Sequence, residues 1–448
     1  MNKQIKIGLF FFLVILIIAG LWNVLKPEQK VDFSADVKPI LNKHCITCHG
    51  GVKKSGGLSL LFEVDAFADT ENGHPAIIRG DVSNSTFVQR LTETDPELRM
   101  PYEKPKLSDA EIDVLTRWVD QGAKWGKHWA YSLPEKVEIP NTTAEAGFSG
   151  SSSNGFIQNG IDNFVLQKLE ANNLKPNISA EKEVIARRVS FDIAGLPPSK
   201  SLFNKWMDNK ITYEVLVDSL LEQSTYGEHW ASWWLDLARY SDSKGYEKDG
   251  GRNIWKYRDW VIKSLNKDLP YDQFTKEQLA GDLLPNPSVD QLIATAFHRN
   301  TMNNDEGGTP DEEYRVAAVL DRVNTTFEVW QSTTIGCVQC HNHTYDPFRN
   351  KEYYNIMAFF NNTMDEDTPD ETPVLKFYNP EQQAEVDKVN AWVKQYGNEE
   401  LVETYHNFLL YQSPMYQAHH AKNFMNGQMA DGKDLSLRDG VACTIDNI

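Results

Sequence analysis

Cys45-Ile-Thr-Cys48-His49 and Cys337-Val-Gln-Cys340-His341 are the two stretches that decide how this chain of 448 residues is interpreted. Both have the pattern C-x-x-C-H, and they use four of the five cysteines, leaving Cys443. Chance would supply roughly 0.001 copies of the pattern at this composition. Two thiols three residues apart can each form a thioether to a haem vinyl group, and the adjacent histidine can then coordinate iron. Each pentad is therefore a candidate covalent haem c site.

The first site also has a candidate for the second axial ligand. Cys45 and Cys48 are the predicted attachment residues, and His49 is the predicted proximal ligand. Met100 follows within Leu98-Arg-Met-Pro-Tyr102, just before a helix with its own capping signal. A thioether favours Fe(II) and raises the potential. We therefore predict Met100 as the distal ligand.

The second site allows three interpretations. In a haem site, Cys337 and Cys340 would be the attachment residues and His341 the proximal ligand. A zinc site could use the same cysteines with one or both of His341 and His343, although four ligands within seven residues are spaced more tightly than in structural zinc sites. A disulfide between Cys337 and Cys340 is the third interpretation.

His343 is not predicted as the distal ligand of a second haem, because two residues of chain span at most about 7 Å. It is expected to be a hydrogen-bond or propionate partner. An open position at this iron would bind peroxide or oxygen, whereas a filled one would leave only electron transfer. The candidate distal ligands, which the sequence does not rank, are His229, His298, Met302, Met357 and Met364.

Composition excludes several classes of protein. At roughly 150 residues per domain, the length predicts about three domains. The formal net charge of −18 argues against a nucleic-acid partner. Five cysteines are too few for a disulfide scaffold of this length.

The N-terminus carries an export signature. Lys3 and Lys6 precede an uncharged apolar run over residues 7–22. A helix of that run would be roughly 24 Å long, close to a bilayer core. Because no small-x-small cleavage site follows, residues 1–27 are predicted as an uncleaved signal anchor, with a cleaved signal peptide as the alternative. The remaining chain is then expected on the periplasmic or extracytoplasmic side.

Periodicity predicts a mainly α fold. Phe33, Val37, Ile40 and Leu41 have helical spacing, and Ser108 begins a capping box. Alternating strand-type patterns are scarce. The predicted organisation is a membrane helix at 1–27, a cytochrome c-like helical domain at 32–131, a linker at 132–160, a larger helical domain at 161–365 and a helical tail at 366–448 that is expected to begin a further, truncated domain.

Residues 32–131 resemble the planctomycete-type cytochrome c domain. The resemblance implies a small helical cytochrome with the haem residues named above. It rests on Val37-Lys-Pro-Ile-Leu41, Cys45-Ile-Thr-Cys48-His49-Gly50, Arg99-Met-Pro101, Leu107-Ser108, Trp118-Val-Asp-Gln-Gly-Ala123 and His128-Trp129-Ala130.

Residues 161–365 resemble the domain of unknown function that accompanies this cytochrome, the second planctomycete cytochrome-associated domain. The family has no secure activity, and its members often accompany polysaccharide breakdown. The resemblance rests on blocks that include Arg188-Val-Ser-Phe-Asp192, Gly195-Leu-Pro-Pro198, Trp234-Leu-Asp-Leu-Ala-Arg-Tyr-Ser-Asp242, Gln278-Leu-Ala-Gly-Asp282, Glu306-Gly-Gly308 and Asp321-Arg322.

Clustered acidic residues are the remaining candidate sites. Asp236, Arg239 and Tyr240 are predicted to share a helix face. Carboxylates near glycine turns could hold Ca²⁺ or act as acid and base, and the competing interpretation is that they are solvated or paired ends of helices. The residues concerned are Asp236, Asp242, Asp249, Asp305, Glu306, Glu312 and Glu313.

The leading functional hypothesis is a membrane-anchored periplasmic c-type cytochrome with one or two covalent haems. It would pass electrons between an oxidoreductase reaction, linked to a carbohydrate substrate, and a redox partner protein or the respiratory chain. One alternative is a dihaem, peroxidase-like enzyme with an open iron at His341. Another is a carbohydrate-associated binding module in which the second pentad is structural or binds zinc. Whether the chain is itself an enzyme stays open.

Overall fold

The computed structural model describes residues 30–134, 136–141, 156–304, 311–362, 371, 374–402 and 405. Within these ranges the regular structure is helical, and the only β-type pairings are isolated bridges such as His49 with Lys54. The predicted mainly α class is confirmed for this part of the chain. The fold divides into two compact units: Met1–Glu135 with Cys340–Asn350, and Lys136–Gln339 with Lys351–Ile448.

The first unit is built on short helices around one core. A π-helical turn at Phe33–Val37 leads into α1, and Asp32 Oδ1 accepts a hydrogen bond from the Ala35 amide at 2.7 Å where that turn begins. The predicted capping box is present, since Ser108 and Glu111 bond reciprocally at the start of α4. The helices are α1 (Lys38–His44), α2 (Glu63–Ala66), α3 (Thr86–Thr92) and α4 (Asp109–Asp120).

Trp118 is the centre of this core. Its side chain is buried, its ring lies 5.7 Å from that of Phe33, and its Nε1 donates to the Lys124 carbonyl at 2.9 Å. Burying an indole removes some 150–250 Å² from water, so Trp118 supplies a large share of the apolar stabilisation. All four apolar residues of the predicted first helix are buried here: Phe33, Val37, Ile40 and Leu41.

The predicted membrane anchor at 1–27 lies outside the described residues. Within the ranges that the structure does describe, no helix is both long enough and apolar enough to cross a membrane.

The second unit contains longer helices. Helix starts and ends follow the sequence signals, as at Gly195, which has φ of 69° and ends α6. The further helices of the chain are α5 (Gly160–Ala171), α6 (Lys182–Ala194), α7 (Lys200–Met207), α8 (Tyr213–Leu221), α9 (Ser224–Leu237), α10 (Trp255–Asn266), α11 (Tyr271–Ala280), α12 (Val289–Ala294), α13 (Asp311–Gln331), α14 (Asn350–Phe360) and α15 (Pro380–Tyr396).

Two apolar clusters hold this unit together. In one, α9 crosses α10 so closely that a Cβ on Gly227 would lie 2.5 Å from the Ile262 carbonyl oxygen. Trp234 packs in this cluster and donates from Nε1 to Gln278 Oε1 at 2.8 Å. In the other, α6, α7 and α8 pack around Trp206, whose Nε1 donates to the Lys182 carbonyl.

Candidate haem site

The first pentad lies on one continuous turn. Cys45 ends α1, with its amide donating to the Leu41 carbonyl at 2.9 Å. The amides of Cys48 and His49 then both donate to the Cys45 carbonyl, at 3.1 and 2.9 Å. The backbone therefore holds the two thiols and the imidazole together in one local turn, as a covalent haem attachment requires.

The loop after His49 is tight. A Cβ on Gly50 would lie 2.3 Å from the Ile46 carbonyl oxygen, so only glycine fits at this position. The Leu60 amide donates to the His49 carbonyl at 2.7 Å, and the Ser55 amide donates to that of Cys48 at 3.0 Å. These bonds fix the backbone on both sides of the imidazole.

The His49 side chain is in the protonation state that a metal ligand needs. Its Nδ1 is buried and lies outside hydrogen-bonding geometry. Burial lowers the pKa of His49, and the nearby backbone at Leu58 and Ser55 offsets this only in part. The neutral imidazole is therefore the dominant form at pH 7.

The two thiols are half-buried and reduced. Burial raises the pKa of Cys45 to about 12, because the thiolate would lose its hydration, and Lys104 opposes this shift. Cys45 also packs against the apolar core of the unit. It is consequently poor at thiolate chemistry but well placed for a thioether.

Met100 packs against the same core as Cys45. Its amide donates to the Arg90 carbonyl at 2.8 Å, and Arg90 Nη1 donates to the Leu98 carbonyl at 2.9 Å. These bonds tie the methionine loop to α3. Two thiols, a neutral imidazole and a thioether form the donor set of a covalent, Met/His-ligated haem, so the residues of this unit fit that group.

The second pentad starts in a short turn. Residues Gly336–Gln339 form one 3₁₀ turn, and both Cys337 and Cys340 are exposed and reduced. His341 Nδ1 lies 2.7 Å from the Asn342 carbonyl oxygen. Donation to that carbonyl places the imidazole proton on Nδ1, which makes Nε2 the nitrogen suited to iron.

His343 has a different role from His341. It is buried, and its Nδ1 accepts hydrogen bonds from the amides of Tyr345 and Asp346, at 3.2 and 2.8 Å. Nδ1 therefore acts as a hydrogen-bond acceptor within this loop. His343 shapes its own loop in this way, in line with the expected hydrogen-bonding role.

Residues 340–350 form part of the first unit. A Cβ on Gly51 would lie 2.9 Å from the His343 carbonyl oxygen, so this segment passes directly against the loop that follows His49. The Phe348 ring meets that of Tyr131 edge-on at 5.8 Å. Cys340 and His341 thus belong to the same compact unit as the first pentad.

Asp346 is the electrostatic centre of that packing. Its Oδ1 lies 3.1 Å from His128 Nε2, with the two side chains 24% and 15% exposed. Lys38 is buried nearby, and burial lowers its pKa to about 8 while the charge of Asp346 raises it. The sequence gives no signal for this cluster, because Asp346 is more than 200 residues away from both His128 and Lys38 along the chain.

The second unit contains unsatisfied polar atoms. The guanidinium of Arg239 pairs with Asp321, yet its Nε and Nη2 are buried with no hydrogen-bond acceptor. Such donors suit an anionic group, and a haem propionate is one.

The distal candidates for a second haem have different surroundings. His298 is fully buried between the rings of Phe297 and Phe360. Met302 is 55% exposed and lies beside Gly245, whereas His229 packs against Gly195 and Trp230. Met357 lies in α14, and Met364 is outside the described residues. The structure does not select one of them.

The acidic residues are not arranged as the sequence predicted. The expectation that Asp236, Arg239 and Tyr240 share one helix face is wrong, because α9 ends at Leu237 and Arg239 has φ of 59°. Among the described residues no three His, Cys, Asp or Glu side chains could hold a metal ion, so calcium gains no support there. Asp305 and Glu306 lie outside that part of the chain.

These features define the class of the first unit: a helical domain whose donors are those of a c-type cytochrome. Residues 45–103 match the family model described as planctomycete cytochrome C, and residues 160–365 match the one described as a protein of unknown function (DUF1549). The chain therefore carries a planctomycete-type cytochrome c domain followed by the domain of unknown function that accompanies it, in the predicted order. No curated protein and no solved structure matches the chain.

Proposed function

We propose that this c-type cytochrome carries two covalent haems and relays electrons between an oxidoreductase reaction and a respiratory partner, anchored to the membrane by residues 1–27 on the periplasmic side. The observation that supports the relay most directly is the position of Cys340 and His341 in the same compact unit as Cys45, Cys48 and His49. The iron ligands of both haems, His49 and His341, would then belong to one compact unit, which suits electron transfer between the two haems.

The roles of the first-site residues follow from their geometry. Cys45 and Cys48 would tether the haem, and the His49 imidazole and the Met100 sulfur would hold its iron. When bound, the haem supplies a reversible one-electron couple. Because both axial ligands sit on loops fixed by backbone hydrogen bonds, little rearrangement of the chain is needed between the two redox states.

The second pentad favours haem over zinc. The buried His343 Nδ1 already accepts two amides, which leaves that nitrogen unsuited to zinc. An iron with an open position at His341, as in a peroxidase-like enzyme, is the alternative that the experiment below also tests.

Haem counting tests this proposal. The full chain would be produced in a host that matures haem c, and haem per chain would be measured by pyridine haemochrome. We expect two haems per chain, one after Cys337→Ser with Cys340→Ser, and two after Cys443→Ser, the matched control. One haem that is unaffected by the double change would refute the second site. A ferric high-spin signal in the wild-type chain would favour the peroxidase-like alternative.

The anchor is tested separately. Full-length chain should sediment with membranes and resist extraction by high salt, whereas a chain lacking residues 1–27 but exported by a cleavable signal should be recovered in the soluble periplasmic fraction. Equal distribution of the two forms would contradict the anchor without affecting the haem assignment.

A further inference from the structure

The second unit contains a cleft that is not connected with either pentad. It has a volume of about 670 Å³, within the usual range of small-molecule sites. Its floor is the start of α10, and its walls are formed by α12 with the following 3₁₀ turn and by the segment 374–378. Every lining residue belongs to the second unit, so the cleft stands independently of the haem assignment.

The cleft is cationic in an acidic protein. The chain as a whole has a formal charge of −18, yet the described residues that line the cleft include five cationic side chains and one carboxylate, Glu371. Glu371 Oε1 accepts from Arg252 Nε and Nη2 at 2.8 and 2.7 Å. Lys244, Arg299 and Lys376 also make interactions of their own, so Lys256 is the lining cation that would attract an anion most directly. The cationic residues are Lys244, Arg252, Lys256, Arg299 and Lys376.

Lys256 joins the charge of the cleft to an aromatic surface. Its Nζ lies 4.4 Å from the Trp255 ring centroid and 4.6 Å from that of Phe377, within cation–π range of both. The two rings are 40% and 47% exposed, so part of each ring is accessible to a ligand. Lys256 forms no ion pair with any described residue, so its charge is available to a ligand.

The backbone adds further donors. Helix α10 begins at Trp255, and its N-cap residue Ile254 makes no side-chain capping bond. The first amides of a helix lack internal acceptors and favour an anion. Residues 253–257 all line the cleft. Side-chain cations, exposed rings and helix amides therefore meet in one place.

We propose that this cleft binds an acidic sugar, meaning an oligosaccharide that carries carboxylate or sulfate groups. The exposed rings suit the apolar C–H face of a pyranose, and the cations with the helix amides suit its acidic groups. A neutral sugar would leave the cationic lining unmatched. The carboxylated and sulfated forms share this chemistry, so binding experiments must separate them.

Binding would be measured by titration calorimetry on the full haem-loaded chain. The probes are trigalacturonate, a sulfated disaccharide, maltotriose as the neutral sugar and ATP as a non-sugar polyanion. We expect at least one of the two acidic sugars to bind, with affinity falling as salt is raised. Stronger binding of maltotriose or ATP than of both acidic sugars would overturn the proposal, as would no binding of either acidic sugar at 10 mM, roughly the limit of measurable affinity.

Substitutions at Lys256 test whether the acidic sugar binds in this cleft. Loss of a charged hydrogen-bond partner should weaken acidic-sugar binding about tenfold in Lys256→Ala and more in Lys256→Glu. Lys276→Ala is the matched control, because Lys276 is an exposed lysine on α11 whose ion pair is with Asp272. Circular dichroism and the haem spectrum should be unchanged in all three. Equal weakening in the control would overturn the assignment to this cleft.

Discussion

Replacing Asp346 by asparagine should destabilise the first unit more than neutralising any of its exposed charged side chains. Asp346 Oδ1 lies 3.1 Å from His128 Nε2, and Lys38 is buried within range of its charge. Because burial lowers the pKa of His128, this histidine is neutral at pH 7 and donates its proton to the carboxylate. The substitution therefore removes a charged hydrogen bond and also the anion that compensates Lys38.

The magnitude follows from these two contributions. A hydrogen bond to a charged group contributes about 1.5–3 kcal/mol. Removing one member of a buried charge pair costs about 3–5 kcal/mol, and the partial exposure of Asp346 reduces that figure. We expect the free energy of unfolding of the first unit to fall by about 3 kcal/mol. Adding Lys38→Met, which removes the uncompensated charge, should restore at least about 1 kcal/mol.

The assay is guanidinium unfolding at pH 7, followed by the absorbance of the haem that the first unit would hold. Asp113→Asn is the control, since Asp113 is 61% exposed and pairs only with Arg117 one turn away. Its cost should be below about 0.5 kcal/mol. A loss in Asp346→Asn no larger than in this control, or a double variant less stable than either single one, would refute the buried charge cluster.

Three further predictions concern pH, packing and the distal ligand. Because burial lowers the pKa of Lys38 to about 8 from 10.5, the unfolded chain binds more protons between those values. Unfolding free energy should therefore rise across that pH window and stay flat there in Lys38→Met, and a falling profile would contradict the burial. In Gly227→Ala the new Cβ would lie 2.5 Å from the Ile262 carbonyl oxygen, a backbone atom, so the melting temperature should drop by several degrees. Gly251→Ala is the control: a Cβ there meets open space, so its melting temperature should change little. Met100→Ala should abolish the low-spin ferrous spectrum of the first haem and lower its potential. Met207→Ala is the control, because Met207 packs against the core around Trp206 and is not a candidate ligand of either haem. An unchanged spectrum in Met100→Ala would exclude Met100 as the ligand.

Local sequence signals predicted the local structure well. Phe33, Val37 and Ile40 recur at helical spacing because all three side chains pack into the same core. The capping box needs only Ser108 and Glu111, which are three residues apart in the sequence. The first pentad is equally local, because its three functional side chains sit on a single turn. Such features depend on residues that are close together along the chain.

Long-range contacts could not be predicted in this way. Asp346 meets His128 and Lys38 only because residues 340–350 return to the first unit, and no periodicity encodes that return. The spacing predicts Arg239 on one helix face with Asp236 and Tyr240, but Arg239 has a left-handed backbone and pairs with Asp321 of α13, which is distant in sequence. Likewise the cationic cleft draws Arg252, Lys256 and Phe377 from separate segments.

Peptide mapping by mass spectrometry is the most direct test of the central claim, which is that both pentads carry covalent haem. The mature chain would be digested, and haem adducts would be sought on the peptide with Cys45 and Cys48 and on the peptide with Cys337 and Cys340. We predict one haem on each peptide. Haem on the first peptide alone, with Cys337 and Cys340 recovered as free thiols or as a disulfide, would contradict the account.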